Sequence, residues 1–180
     1  YENENNPKAH YETTGPEIIE DLPDINIFVS GLGTGGTLTG VGRRLKEFNS
    51  DIKVIAAAPH PGDLVQGLRA LEDGYIPPVF DETVLDGRIV VDSETSFRTT
   101  RELTRQTGIF AGISAGAVIR AAQRAAEKIE VDNTDNGTPA QEDAGYVPAE
   151  NDFQHAYVLA TDDAPVETSS YRQTMSLQSS

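Results

Sequence analysis

Ten residues, Gly31-Leu32-Gly33-Thr34-Gly35-Gly36-Thr37-Leu38-Thr39-Gly40, limit what this chain can become more than any other stretch. They separate two segments of different period. Residues 25–30 form an apolar run of strand length that ends in the glycines. After them Leu38, Val41, Leu45 and Phe48 recur at helical spacing, with Arg43, Arg44, Lys46 and Glu47 turned to water. Residues 52–58 give a second buried-strand candidate. Strand, glycine turn, helix and strand within about thirty residues make a βαβ unit, which requires a parallel sheet and a right-handed crossover.

Where a buried strand feeds a helix through glycines, backbone amides converge on the helix N-terminus and the macrodipole favours an anion. Glycine lets the backbone approach closely and adopt positive φ. Thr34 and Thr37 each add a hydroxyl donor, so the loop suits a phosphate monoester. It is not a Walker loop, because no Lys-Ser/Thr pair follows. Nor is it a dinucleotide fingerprint, because the second strand closes on Ala56-Ala57-Ala58 without an acidic residue. The plainer reading is a tight strand-to-helix turn whose glycines serve packing.

The rest of the chain continues the alternation. Residues 1–8, including Lys8, read as an opening loop, and Pro16 to Leu22 as a short helix opened by Gly15-Pro16. Pro59 to Asp86 carries four prolines and three glycines and reads as an irregular, functional segment. Arg88–Val91 is a strand candidate, followed by a helix from Ser93 to Thr107 that Gly108 stops. Ile109–Ile113 reads as a buried apolar stretch, and Ser114 leads into an alanine-rich helix to about Ile129. Gly112-Ile113-Ser114-Ala115-Gly116 is therefore a second glycine corner. Its serine is either an N-cap or a ligand hydroxyl at the sheet edge where open α/β folds bind. Residues 131–155 read as an acidic insertion or linker, and 156–180 as a last strand at Ala156–Ala160 with a disordered tail. The expected fold is α/β, an open, mostly parallel sheet with helices on both faces.

A net charge of −15 argues against nucleic acid, since a phosphate backbone is repelled, and is read as a solvated acidic surface. There is no cysteine for a disulfide or thiolate site. No stretch has membrane-span length and no signal peptide is seen at the start, which fits a cytoplasmic protein without membrane contact. Tyr1 is not a methionine, and the opening reads like the middle of a longer chain.

Thr13-Thr14-Gly15-Pro16-Glu17-Ile18, then Gly33 to Gly40, then Gly112 to Gly116, in that order and spacing, resemble the fold-type II pyridoxal-phosphate enzymes. Within that group the resemblance is to cysteine synthases. It covers residues 1–130 and includes the opening Tyr1-Glu2-Asn3 with Asn6-Pro7 and His10. Residues 67–69 through 74–77 resemble the B-type enzymes, including those that use O-phosphoserine. The resemblance implies pyridoxal 5'-phosphate as cofactor. Gly33, Thr34, Gly35, Gly36 and Thr37 would cradle its phosphate, and Ser114 would hydrogen-bond the pyridine nitrogen. Arg69 is a candidate for pairing with an anionic leaving group, or else a solvated loop arginine. The implied reaction is β-replacement: an activated serine, O-acetylserine or O-phosphoserine, loses its β-substituent, and sulfide or a sulfur carrier adds to give L-cysteine. The resemblance also implies a homodimer.

Three features depart from the family. None of the four lysines, Lys8, Lys46, Lys53 and Lys128, matches the context of the family's Schiff-base lysine, so the chain is expected to be inactive alone, resembling only the C-terminal half. Ala57-Ala58-Pro59 lacks the usual glutamate, and Asp162-Asp163-Ala164-Pro165 follows the last strand where relatives carry a glycine. A cystathionine β-synthase or serine/threonine dehydratase relative shares the phosphate loop. A non-catalytic phosphate-binding module is the reading from a different class.

Overall fold

The computed structural model describes residues 2–133 and 156–159, with side chains as far as residue 127. Its centre is a parallel sheet of four strands. β1 (Ile27–Gly31) lies between β2 (Lys53–Ala58) and β4 (Ala156–Leu159), with β3 (Gly87–Val90) outside β2. Ile27 is level with Lys53 on one side and with Ala156 on the other. Successive residues of β1 point to opposite faces, and both faces are covered. Phe28 joins Leu38, Val41, Leu45 and Val54 in one core, while Ile27 and Val29 join Val91, Val118 and Ala121 in the other. A strand buried on both sides has to be apolar throughout, which is why 27–29 reads as an unbroken run.

α3 (Gly36–Phe48) closes the first face with Leu38, Val41 and Leu45 fully buried. Phe48, expected on the same stripe, is instead 50% exposed. It is the final helical residue, and the core ends one turn earlier at Leu45. α5 (Ile113–Asn133) closes the second face with Ala117, Val118, Ala121, Ala122 and Ala125, small residues that bring the helix close to the strands. α4 (Ser93–Thr107) starts at an Asp92 cap that accepts the Thr95 N–H and stops at Gly108 with φ 74°. It rests on α5, where a side chain at Gly116 would collide with the Ser96 carbonyl.

Three expectations are corrected here. The opening residues are helical: α1 (Asn5–Ala9) runs into a π-helical turn, His10–Thr14, and then α2 (Gly15–Asp21), so Lys8 lies on a helix. Just ahead of α1, Asn3 accepts the Asn5 N–H at 3.0 Å. Ile109–Ile113 is not a buried stretch: residues 108–112 are irregular and Phe110 is 94% exposed. Five residues joining two helices that lie against each other cannot also reach the sheet. For the same reason no strand feeds the second glycine corner. Residues 59–86 are irregular as expected, with two short 3-10 turns (Leu71–Asp73 and Glu82–Val84) and Gly62, Gly67 and Gly74 at positive φ. Of the stretch read as an acidic insertion, residues 131–133 instead close α5, and its remainder and the tail lie outside the described residues. Among those described, no helix is long and apolar enough to cross a membrane.

Candidate cofactor site

Three segments meet at the carboxyl edge of the sheet. The Leu32 N–H donates to the Ala57 carbonyl at 2.8 Å, carrying the ladder one residue beyond β1. The Arg69 N–H donates to the Leu32 carbonyl at 2.8 Å, which lays residues 67–69 along the start of the glycine loop. Leu68 fills the space beside Gly31, where an added Cβ would stand 2.6 Å from its Cδ2. A Cβ at Gly67 would stand 3.6 Å from that of Ser114. Backbone bonding and close approach thus bring the Gly33–Thr37 loop, the Arg69 segment and Ser114 to the edge at which open α/β sheets bind ligands.

The loop enters α3 through Gly35, which is left-handed at φ 80° and makes no side-chain cap. The first intrahelical bond runs from the Thr39 N–H to the Gly35 carbonyl at 2.9 Å, so the N–H groups of Gly35, Gly36, Thr37 and Leu38 precede the helical ladder. Gly36 turns its N–H to Thr34 Oγ1 at 3.3 Å. The remaining donors and the positive end of the helix make an amide-lined corner.

Both readings of the glycines hold, at different positions. At Gly35 a Cβ would lie 2.6 Å from Phe80, and the positive φ already excludes most side chains. At Gly36 and Gly40 it would collide with Asn6 and with the Pro7 carbonyl of α1. These three glycines therefore let the protein's own parts close around the loop.

Asn6, His10 and Phe80 were given no site role from the sequence, yet they pack against the loop or bond to it. Asn6 Nδ2 donates to Thr34 Oγ1 at 3.1 Å. His10 lies between two hydroxyls, its Nε2 3.1 Å from Thr37 Oγ1 and its Nδ1 3.0 Å from Thr14 Oγ1. Burial lowers the His10 pKa below its ordinary value, which keeps the ring neutral. The usable signal was the Asn6-Pro7 and His10 spacing, i and i+4, which points both side chains to one face of a helix.

Ser114 is not an N-cap. It is the second residue of α5 and 1% exposed, a hydroxyl sunk into the corner beside Gly67. Arg69 is exposed, with its guanidinium 5.6 Å from the centre of the Tyr75 ring. The lysines lie elsewhere: Lys8 is 3.8 Å from Glu12, while Lys46 and Lys53 reach Asp86 at 2.6 and 3.6 Å.

Comparison with known proteins agrees with this geometry. Residues 1–136 match the family described as pyridoxal-phosphate dependent enzyme. The cysteine synthase of Aquifex aeolicus is 42% identical over 131 residues, covering 72% of this chain and 40% of that protein. A solved O-ureido-L-serine synthase superposes with a TM-score of 0.66 at 37% identity, over 71% of this chain and 43% of the other. A hydrogen sulfide-producing enzyme from Fusobacterium nucleatum gives a TM-score of 0.67 at 36% identity, over 71% and 46%. The chain spans less than half the length of each of these relatives. With the family matched over most of its length and the fold shared, this chain belongs to the pyridoxal-phosphate dependent enzymes.

Proposed function

We propose that this chain forms the phosphate- and ring-binding side of a pyridoxal-phosphate site that makes L-cysteine by β-replacement. The substrate is an activated serine, O-acetylserine or O-phosphoserine, whose β-substituent leaves with its bonding electron pair and is replaced by a sulfur donor. When bound, the cofactor supplies an electron sink for the amino-acid α-carbon.

The observation that carries this reading is the pairing of an amide-lined corner at Gly33–Thr37 with a buried hydroxyl at Ser114 on the same sheet edge. The two fit the two ends of the cofactor. The corner offers N–H groups, Thr34, Thr37 and a helix N-terminus to a phosphate dianion. Ser114 offers a neutral hydroxyl to the pyridine nitrogen, and a neutral partner does not hold a proton on that nitrogen as a carboxylate does. That limits the ring's pull on electrons and favours loss of a β-substituent over deeper carbanion chemistry.

Arg69 is proposed to meet an anionic leaving group from the third segment, swinging from its stack on Tyr75. Lys8, Lys46 and Lys53 each have a carboxylate partner, and Lys46 and Lys53 stand at the end of α3 and the start of β2. This supports a site in which the chain holds and orients the cofactor while the imine-forming amine comes from outside the described residues.

The test is a titration of the protein with inorganic phosphate and with pyridoxal 5'-phosphate, followed by amide NMR. Both ligands are expected to shift Gly33–Thr37, and only the second to shift Ser114. Shifts confined to other residues overturn the reading. For the substrate, Arg69→Ala is expected to lower cysteine formation from O-phosphoserine more than from O-acetylserine, and equal losses refute its role.

A further inference from the structure

We propose that Asn6 and His10 are positioning residues of the phosphate loop, occupying the acceptor sides of Thr34 and Thr37 so that both hydroxyl protons face the anion. The inference rests on the reading of Gly33–Thr37 as the phosphate corner.

A hydroxyl has one proton to give and two lone pairs to receive. Thr34 Oγ1 receives from Asn6 Nδ2 at 3.1 Å and from the Gly36 N–H at 3.3 Å. Both lone pairs are met, so its proton turns to a third direction, the open side of the corner. At Thr37 the matching partner is His10 Nε2. A neutral imidazole donates from one nitrogen and accepts at the other. If Nε2 carries the proton, it donates to Thr37 and leaves the Thr37 proton for the anion, while Nδ1 accepts from Thr14. In the other tautomer Thr37 spends its proton on His10 and turns lone pairs toward the phosphate, which repels them. An anion at the head of α3 therefore selects the first tautomer.

The way α1 is seated accounts for this alignment. Asn6 and His10 are four residues apart, as are Gly36 and Gly40 on α3, and the two pairs face each other. A Cβ at Gly36 would strike Asn6, and one at Gly40 would strike the Pro7 carbonyl and His10. Without those glycines the amide and the imidazole could not reach the hydroxyls. The π-helical turn His10–Thr14 begins at the residue that makes the second contact and ends at its other partner, Thr14.

A purely structural role for Asn6 and His10 predicts lost stability without a particular effect on anions, so the test separates the two. Asn6→Asp keeps the shape but removes the donor, and forces Thr34 to give its proton away from the corner. His10→Asn retains a group at the Nδ1 position only, and His10→Gln one at the Nε2 position. Inorganic phosphate is titrated calorimetrically into the wild-type protein and each variant. Asn6→Asp and His10→Asn are expected to bind about tenfold more weakly, the scale of a lost hydrogen bond to a charged group. His10→Gln is expected to recover most of the loss. The ring-nitrogen NMR shifts of wild-type His10 are read in parallel, and with phosphate bound they are expected to report Nε2–H, a readout that needs no variant to fold. Wild-type affinity in folded Asn6→Asp and His10→Asn, or an Nδ1–H ring with phosphate bound, overturns the proposal. If Thr34→Ala and Thr37→Val also bind as wild type, or wild type binds no phosphate, the phosphate corner itself is refuted.

Discussion

The two glycine corners meet at one sheet edge but are built on opposite plans. The first follows a strand, enters α3 through a left-handed Gly35, and has three glycines pressed against other parts of the protein. Both of its threonines are held by side chains of the N-terminal helices. The second is reached through five irregular residues with Phe110 in solvent, and its crowded Gly116 faces α4 and not the site. Its contribution is a single buried hydroxyl. The contrast follows from the charge each corner is proposed to meet. A dianion is stabilised only by several donors fixed at once, since a mobile donor loses in ordering entropy what it gains in attraction. A ring nitrogen needs one partner in a slot.

The largest expected effects come from filling the crowded glycines. Gly40→Ala drives α1 from α3, and Gly116→Ala drives α4 from α5, because the atom in the way is a backbone carbonyl in each case. Each is expected to cost about 3 kcal/mol, at the upper end for overpacking, as read by denaturant unfolding. If the corners are independent, the first abolishes inorganic phosphate binding and the second leaves it within about twofold. Equal losses in the two variants break the comparison.

Thr37→Val and Ser114→Ala sharpen it. Thr37→Val keeps the volume and removes the hydroxyl, and is expected to weaken phosphate about tenfold. Ser114→Ala is expected to leave inorganic phosphate untouched while weakening pyridoxal 5'-phosphate. Should Ser114→Ala change both ligands alike, the hydroxyl acts on the fold and not on the ring. A smaller effect is expected at the start of α4, which carries the second corner's supporting helix. Asp92 accepts the Thr95 N–H at 2.7 Å and the Thr95 hydroxyl at 2.8 Å. Asp92→Ala should cost about 1 kcal/mol, seen as a melting temperature lower by several degrees, with phosphate affinity unchanged.

The same contrast decides what the sequence made legible. β1, the glycine turn, α3 and β2 were readable because period, glycine placement and threonines all agreed. Ser114 was ambiguous because a serine near a helix start is most often an N-cap, and only its place as the second residue of α5, buried beside Gly67, sets that reading aside. Ile109–Ile113 misled because an apolar composition states no burial, and the five-residue span between two touching helices overrode it. Asn6 and His10 went without a role because their partners lie 28 and 27 residues away, a distance no local pattern encodes. Gly36 was read as part of the phosphate cradle, and the space its missing side chain leaves, like that at Gly40, also admits α1.

The smallest prediction isolates the first corner by pH. Burial depresses the His10 pKa in the folded protein below its ordinary 6.5. Between the folded value and 6.5 the unfolded chain binds more protons, so stability rises with pH there. The contribution of a neutral His10 is whole above 6.5 and is lost as pH falls through the folded value. Lys8 and Glu12, both exposed and paired with each other, flank His10 with opposite charge, and Arg44 packs against nearby Gly15, so burial sets the direction. The depressed carboxylates Glu72, Asp81 and Asp92 lose their contributions only as pH falls below their ordinary values of 4.5, 3.8 and 3.8, outside this window. Unfolding free energy measured from pH 7 to 5 is therefore expected to fall more steeply in wild type than in His10→Gln, which cannot titrate. Added sulfate, whose charge is constant over this range, should flatten the wild-type slope, because an anion at Thr37 favours a protonated neighbour and raises the folded pKa. Parallel slopes in the two proteins would show that His10 is not the group that couples the first corner to pH. A slope that sulfate leaves unchanged would show that the anion sits beyond the reach of the His10–Thr37 pair.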